Sequence, residues 1–345
     1  MANDFLNVAL QFLPLLAILL FANWGERLRQ QGLPYMAPVV VSYVATALLY
    51  IAAFVLGLVF MLSANLPAAP IQIESPAWLG FGVLLPSVIG LLLLLKPARR
   101  FVARFTSLEP DHPVHTVALA LTMTPILNQG LTLGIGLKTL TNLIAQQVEQ
   151  TGTAPVSLVG LWAQNIMFVL MALIGVGWLT RRTFRQSLVR LAIVRPSGRD
   201  LLIGVAAALV LIPVIPILMS LLTNVGVGVD QDVESLTELL TGALFATPLG
   251  ILSVGLAPGI GEESVFRGAM QPRFGLILTS ILFALVHGQY GLSLATLVVF
   301  GLGLVLGLVR NYTNTTTSIV THALYNSGTA LLAYVGIQFL TQQGR

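Results

Sequence analysis

Three short stretches place ionisable or amide side chains inside runs that are otherwise apolar. They are Glu262, Glu263 and Arg267 in GEESVFRG, His287 at the end of FALVH, and His322 with Asn326 in THALYN. An ionisable group at mid-membrane costs at least about 2.5–3.5 kcal/mol, so each is a functional candidate. Glu263 and Arg267 are four apart and can pair on one helical face, which makes Glu263 a structural anion. Glu262 points about 100° away and cannot share that arginine equally, which leaves it as the candidate general base. His322 and Asn326 are also four apart and share a face. Each group has a plainer reading: an ion-pair lock between helices, interhelical hydrogen-bonding histidines, an asparagine acting as helix glue. What favours chemistry is their company, because two of the four histidines lie in apolar spans beside what the sequence offers as the only membrane-embedded glutamates. There is no HExxH, GxSG or GxGD arrangement with the partners those chemistries need.

The elements that must position these groups follow from composition. The chain has 345 residues, 56% hydrophobic and 9% charged, with a mean hydropathy of +0.89. A soluble domain carries about 25% charged residues, so this is an integral membrane protein of the all-α, polytopic helical-bundle class. There is no cysteine, which excludes disulfides, thiolate metal sites and a cysteine nucleophile. The pI near 9.7 reflects basic loops between spans rather than nucleic-acid binding.

With about 20 apolar residues needed per span, the chain divides into about ten segments. They cover 5–23, 37–63, 77–95, 115–137, 156–179, 200–222, 237–257, 259–271, 274–290, 292–309 and 316–338, with 237–257 and 259–271 either one bent span or two half-length ones. Pro258 and Gly259 are expected to break the chain between 257 and 259, and TPILNQG is expected to interrupt 115–137. Arginines and lysines collect in alternate loops (Arg27 and Arg29; Lys96 to Arg104; Arg181 to Arg199; Arg273; Arg310). The intervening loops carry Glu74, Glu149 or Asp230, Asp232 and Glu234. The positive-inside rule then places the basic loops in the cytoplasm of a multi-pass cell-membrane protein. Lys138 is the exception and can snorkel. Loop 180–199 separates an N-terminal bundle, 1–198, from a C-terminal unit, 199–345. GLGLVLG, with Gly301, Gly303 and Gly307, reads as a close helix-packing face.

Spacing links the first two polar clusters. Glu262 lies eleven residues before Arg273 and His287 twelve after Gly275. At 1.5 Å per residue both sit about 16–18 Å from the QPRFG turn, so an antiparallel hairpin brings them to similar depth.

The three motifs, EESVFR (EExxxR), FALVH (FxxxH) and HALYN (HxxxN), occur in this order within 65 residues. They resemble those of the CAAX-processing and bacteriocin-processing (CPBP, Abi) intramembrane proteases, which include the Ras-converting endopeptidase. The resemblance covers about residues 238–340. It implies a helical membrane core with a cavity open to the cytoplasm. There Glu262 and His287 activate a water, and His322 and Asn326 donate to the oxyanion of the tetrahedral intermediate. Glu263 and Arg267 hold the first helix. The reaction is peptide-bond hydrolysis without a covalent intermediate or cofactor, on a peptide or membrane-protein substrate within the lipid bilayer.

Three alternatives stay open. Glu262, His287 and His322 could instead bind zinc and hydrolyse the peptide as a metalloprotease. The chain could be a non-enzymatic immunity or scaffolding protein of the same family. Glu262 and His287 could relay protons in a transporter, although no inverted repeat supports this.

Overall fold

The computed structural model describes residues 2–63, 73, 75–226, 228 and 230–342; Glu74 lies outside them. The described chain is helical throughout and forms no strand among the described residues. Helices α1 (Ala2–Gln30), α2 (Met36–Ser63) and α3 (Pro76–Leu93) are followed by short α4 (Lys96–Val102), α5 (Pro113–Leu121) and α6 (Met123–Ile135). Next come α7 (Leu137–Thr151), α8 (Leu158–Gly175) and short α9 (Phe184–Arg190). The rest comprises α10 (Gly198–Asn224), α11 (Gln231–Phe245), α12 (Pro248–Glu263), a π-helical segment (Ser264–Met270), α13 (Gln271–Phe274), α14 (Leu276–Leu285), α15 (Leu294–Tyr312) and α16 (Thr315–Gln342).

Among the described residues, eight stretches are long and apolar enough to cross a membrane. The chain is thus a polytopic all-α membrane protein. Most follow the expected boundaries: Asp4–Gln30, Met36–Leu62, Pro76–Leu93, Leu158–Gly175, Gly198–Asn224 and Leu294–Tyr312. The expected segment 274–290 is represented by a shorter apolar helix, Leu276–Leu285. TPILNQG does not interrupt its segment: Thr124 to Gly130 lie within α6, and the turn between α5 and α6 falls before them, at Thr122.

Two further expectations are corrected. The chain does not break at Pro258–Gly259. Pro248–Phe274 is one continuous stretch, and the break lies earlier, between α11 and α12. There Thr247 caps α12 by accepting from the Gly250 N–H at 3.1 Å, with Pro248 at the first helical position, where its missing N–H costs nothing. Pro258 is tolerated because the carbonyl four residues back, Val254 O, receives a side-chain donor from α16 instead. The second correction concerns glutamates: Glu26, at the end of α1, is also buried within a candidate span. It is held by Arg29 at 2.8 Å and Gln30 at 2.8 Å, and its polar partners sit one turn away, where the sequence shows only a helix end.

The core that carries the polar motifs crosses residue 198. Ala172, Leu173, Val176 and Leu191 form one buried cluster with Val265, Phe266, Leu282, Phe283, Leu302 and Leu306. Helix α12 approaches α16 closely because Gly255 faces it; a Cβ there would stand 2.4 Å from Ala323 O, closer than real contacts allow. Gly303 and Gly307 likewise face the hairpin, against Ser280 and Leu276, as a packing face requires, whereas Gly301 meets nothing within 4 Å.

Candidate active site

Helix α12 delivers Glu262 and Glu263 at its last turn, and the π-helical segment delivers Arg267. A π turn widens the helix by one residue and is frequent at functional sites; here the Gln271 N–H reaches back five residues to Phe266 O. Gln271 then anchors the segment to α15 through Gly307 O at 2.9 Å and Asn311 Oδ1 at 2.8 Å.

Glu263 is fully buried and fully engaged. Its Oε1 faces His322 Nδ1 at 3.0 Å, and its Oε2 accepts from Ser318 Oγ at 2.5 Å. Arg267 Nε stands 3.3 Å from the same Oε2. Arg267 is itself fully buried, donates from Nη2 to Gly303 O at 3.2 Å, and lies 4.3 Å over the Phe283 ring. A buried carboxylate demands this degree of pairing. The pairing of Glu263 with Arg267 matches the sequence expectation; the addition of His322 and Ser318 does not appear there.

Glu262 differs from its neighbour. It is half-buried, and its Oε2 is shielded from solvent with no hydrogen-bond partner. Arg267 and Tyr290 lie within reach of its charge. Tyr290 in turn stacks on His287, with centroids 5.8 Å apart and planes 5° from parallel.

Both histidines use the same ring nitrogen internally. His287 Nδ1 lies 2.8 Å from Phe283 O. His322 Nδ1 lies 3.0 Å from Glu263 Oε1. A carbonyl and a carboxylate can only accept, so each Nδ1 carries the proton, which leaves each Nε2 as the chemically available atom. Asn326 donates from Nδ2 to Val254 O at 3.1 Å, using one of its two amide hydrogens.

Phe283 sits at the centre of this arrangement. Its ring meets His287 at 5.1 Å, His322 at 5.9 Å and Phe266 at 5.4 Å, all edge-to-face. Phe283 enters the sequence reading only as the first residue of FxxxH, and Ser318 does not enter it. The available signal was helical spacing: Phe283 precedes His287 by four residues and Ser318 precedes His322 by four, one turn on the same face.

The zinc alternative asks three ligands to converge. Among the described residues, no group of three or more His, Asp or Glu side chains could hold a metal ion.

Residues 243–328 match the family model described as Rce1-like, Type II CAAX prenyl endopeptidase Rce1-like. The chain matches no curated protein and no solved structure. The match spans all seven motif residues, from Glu262 to Asn326. Through this segment the chain is similar to the Rce1-like group of CAAX prenyl endopeptidases.

Proposed function

We propose that the protein is an intramembrane endopeptidase of the CAAX-processing type, with Glu262 as its general base. One observation carries the assignment. Of two adjacent glutamates, Glu263 is saturated by His322, Ser318 and Arg267, whereas Glu262 retains a buried carboxylate oxygen with no partner. A base needs a free lone pair, and an ion-paired one is already spent.

The carboxylate of Glu262 takes a proton from water, assisted by His287 through Nε2, and the water oxygen attacks the scissile carbonyl carbon. The C–N bond then breaks as the proton passes to the departing amine. Charge on the tetrahedral oxygen is met by the second amide hydrogen of Asn326 and by His322. Because Nδ1 of His322 is committed to Glu263, Nε2 can donate only when the ring is an imidazolium. Peptide substrates reach the site from the cytoplasmic side, and a prenylated CAAX tail is the substrate class suggested by the family description.

The test uses full-length protein in lipid nanodiscs, wild type and Glu262→Gln, with a farnesylated CAAX peptide and an unmodified peptide library. Cleavage by the wild type alone, unaffected by a strong zinc chelator, is the expected result. Loss on chelation with recovery on adding zinc would replace the glutamate mechanism by a metal one. Peptide binding without cleavage by either protein would leave a scaffold.

A further inference from the structure

A second polar feature lies away from the motif residues. Arg181 and Arg182 after α8, Arg190 at the end of α9 and Arg273 in α13 all line one cavity of about 400 Å³. Arg273 pairs with Glu109 at 3.3 Å. The other three have no carboxylate within 4 Å among the described residues. Arg181 Nε donates to Asn23 Oδ1 at 2.9 Å, Arg182 Nη1 donates to Val176 O, and Arg190 has no hydrogen-bond or ion-pair partner among the described residues. Glu26, on the same side, is already engaged with Arg29 and Gln30. Burial, and then repulsion from neighbouring arginines, holds all three guanidinium pKa values below the ordinary one, that of Arg181 at about 10. Half-buried cations kept together with no carboxylate in contact are an electrostatic cost that an anion would relieve.

Behind these arginines the cavity is apolar. Leu19, Phe266, Leu282 and Val286 line it, together with Phe12 and Phe168, which meet edge-to-face at 5.5 Å. Phe168 lies seven residues before Gly175 on α8, so the lining extends about 10 Å along that helix from the arginine-bearing end. The volume is near the lower end of the about 300–1,000 Å³ range of ligand pockets. It suits one hydrocarbon chain rather than the two of a phospholipid. One wall comes from α1, α5 and α8, outside the family match; the other includes Val265 and Phe266, which follow the paired glutamates, and Val286, which precedes His287.

We propose that this cavity binds a single-chain membrane lipid with an anionic head, the chain lying among Phe12, Phe168 and Phe266 and the head on Arg181, Arg182 and Arg190. The occupant bridges the N-terminal helices and the motif helices. This gives the first 198 residues a role the motifs do not: they supply the arginines and one wall of a lipid site. The proposal does not depend on the peptidase reading, since its readout is binding.

The test is native mass spectrometry of the full-length protein in an uncharged detergent, titrated with lysophosphatidylglycerol, lysophosphatidylcholine or inorganic phosphate. One lysophosphatidylglycerol should bind per chain, with lysophosphatidylcholine about ten-fold weaker, because a charge-assisted contact is at stake. Arg190→Gln should weaken lysophosphatidylglycerol by about ten-fold, and Ala118→Phe, which fills the cavity without changing charge, should weaken both lysolipids. Phosphate alone should not compete. Equal affinity for the two lysolipids, indifference to both variants, or phosphate binding as tightly as the anionic lysolipid would each overturn the proposal. So would a farnesylated peptide that occupies the arginines where the lysolipids do not.

Discussion

Asn326 supplies the hydrogen bond that Pro258 cannot make. Proline has no N–H, so Val254 O loses its helical donor, and the Asn326 amide reaches across from α16 to replace it at 3.1 Å. The last residue of the HxxxN motif is thereby part of the packing of α12 on α16.

This dual use separates two roles in one experiment. Asn326→Ala should cost about 1–2 kcal/mol by leaving a buried carbonyl unpaired. Adding Pro258→Ala restores a backbone donor and should recover most of that stability. If peptide hydrolysis stays low in the double variant while thermal stability returns, Asn326 touches the reacting atoms; recovery of both would make it structural.

The two glutamates should fail in different ways. Glu263→Gln leaves Arg267 buried without its counter-charge and should destabilise the protein by about 3–5 kcal/mol. Glu262→Gln removes no ion pair or hydrogen bond and should change stability by less than about 0.5 kcal/mol. It should reduce kcat by about 10²–10⁴-fold, the usual contribution of a general base. Unfolding curves and initial rates on the same preparations decide between these outcomes.

Phe283→Leu keeps the volume roughly apolar but removes the face beneath Arg267 and the edge contacts to both histidines. A desolvated cation–π contact is worth about 2 kcal/mol, so thermal stability should fall by about that amount. If the ring also orients the imidazoles, kcat should drop with KM little changed. An unchanged kcat would confine Phe283 to stability.

Outside the membrane spans, burial pushes His112 down to about 4 from 6.5, and this outweighs Glu26, whose Oε1 stands 3.6 Å from its Nε2. The folded state therefore resists a proton that the unfolded chain accepts. Stability is full above about pH 6.5 and declines as pH falls from there towards 4. His112→Gln should flatten the part of a Tm–pH profile that lies in this window. A profile in which acidification raises Tm through His112 would mean that the ring is charged and paired with Glu26.

Much of this protein is legible in its sequence because the bilayer permits few structures. Apolar runs of span length must be helices, since no water is present to satisfy an open backbone. Residues four apart on a helix must share a face, which suffices to pair Glu263 with Arg267 and to leave Glu262 apart. What spacing along one helix cannot encode is contact between helices. Only the packed bundle joins His322 to Glu263, commits both Nδ1 atoms, sets Phe283 between the imidazoles, and gathers three unpaired arginines over an apolar chamber. The helix through Pro258 shows the limit most directly: the residue that repairs its missing hydrogen bond lies 68 positions away in the chain, on a helix that local rules of proline cannot see.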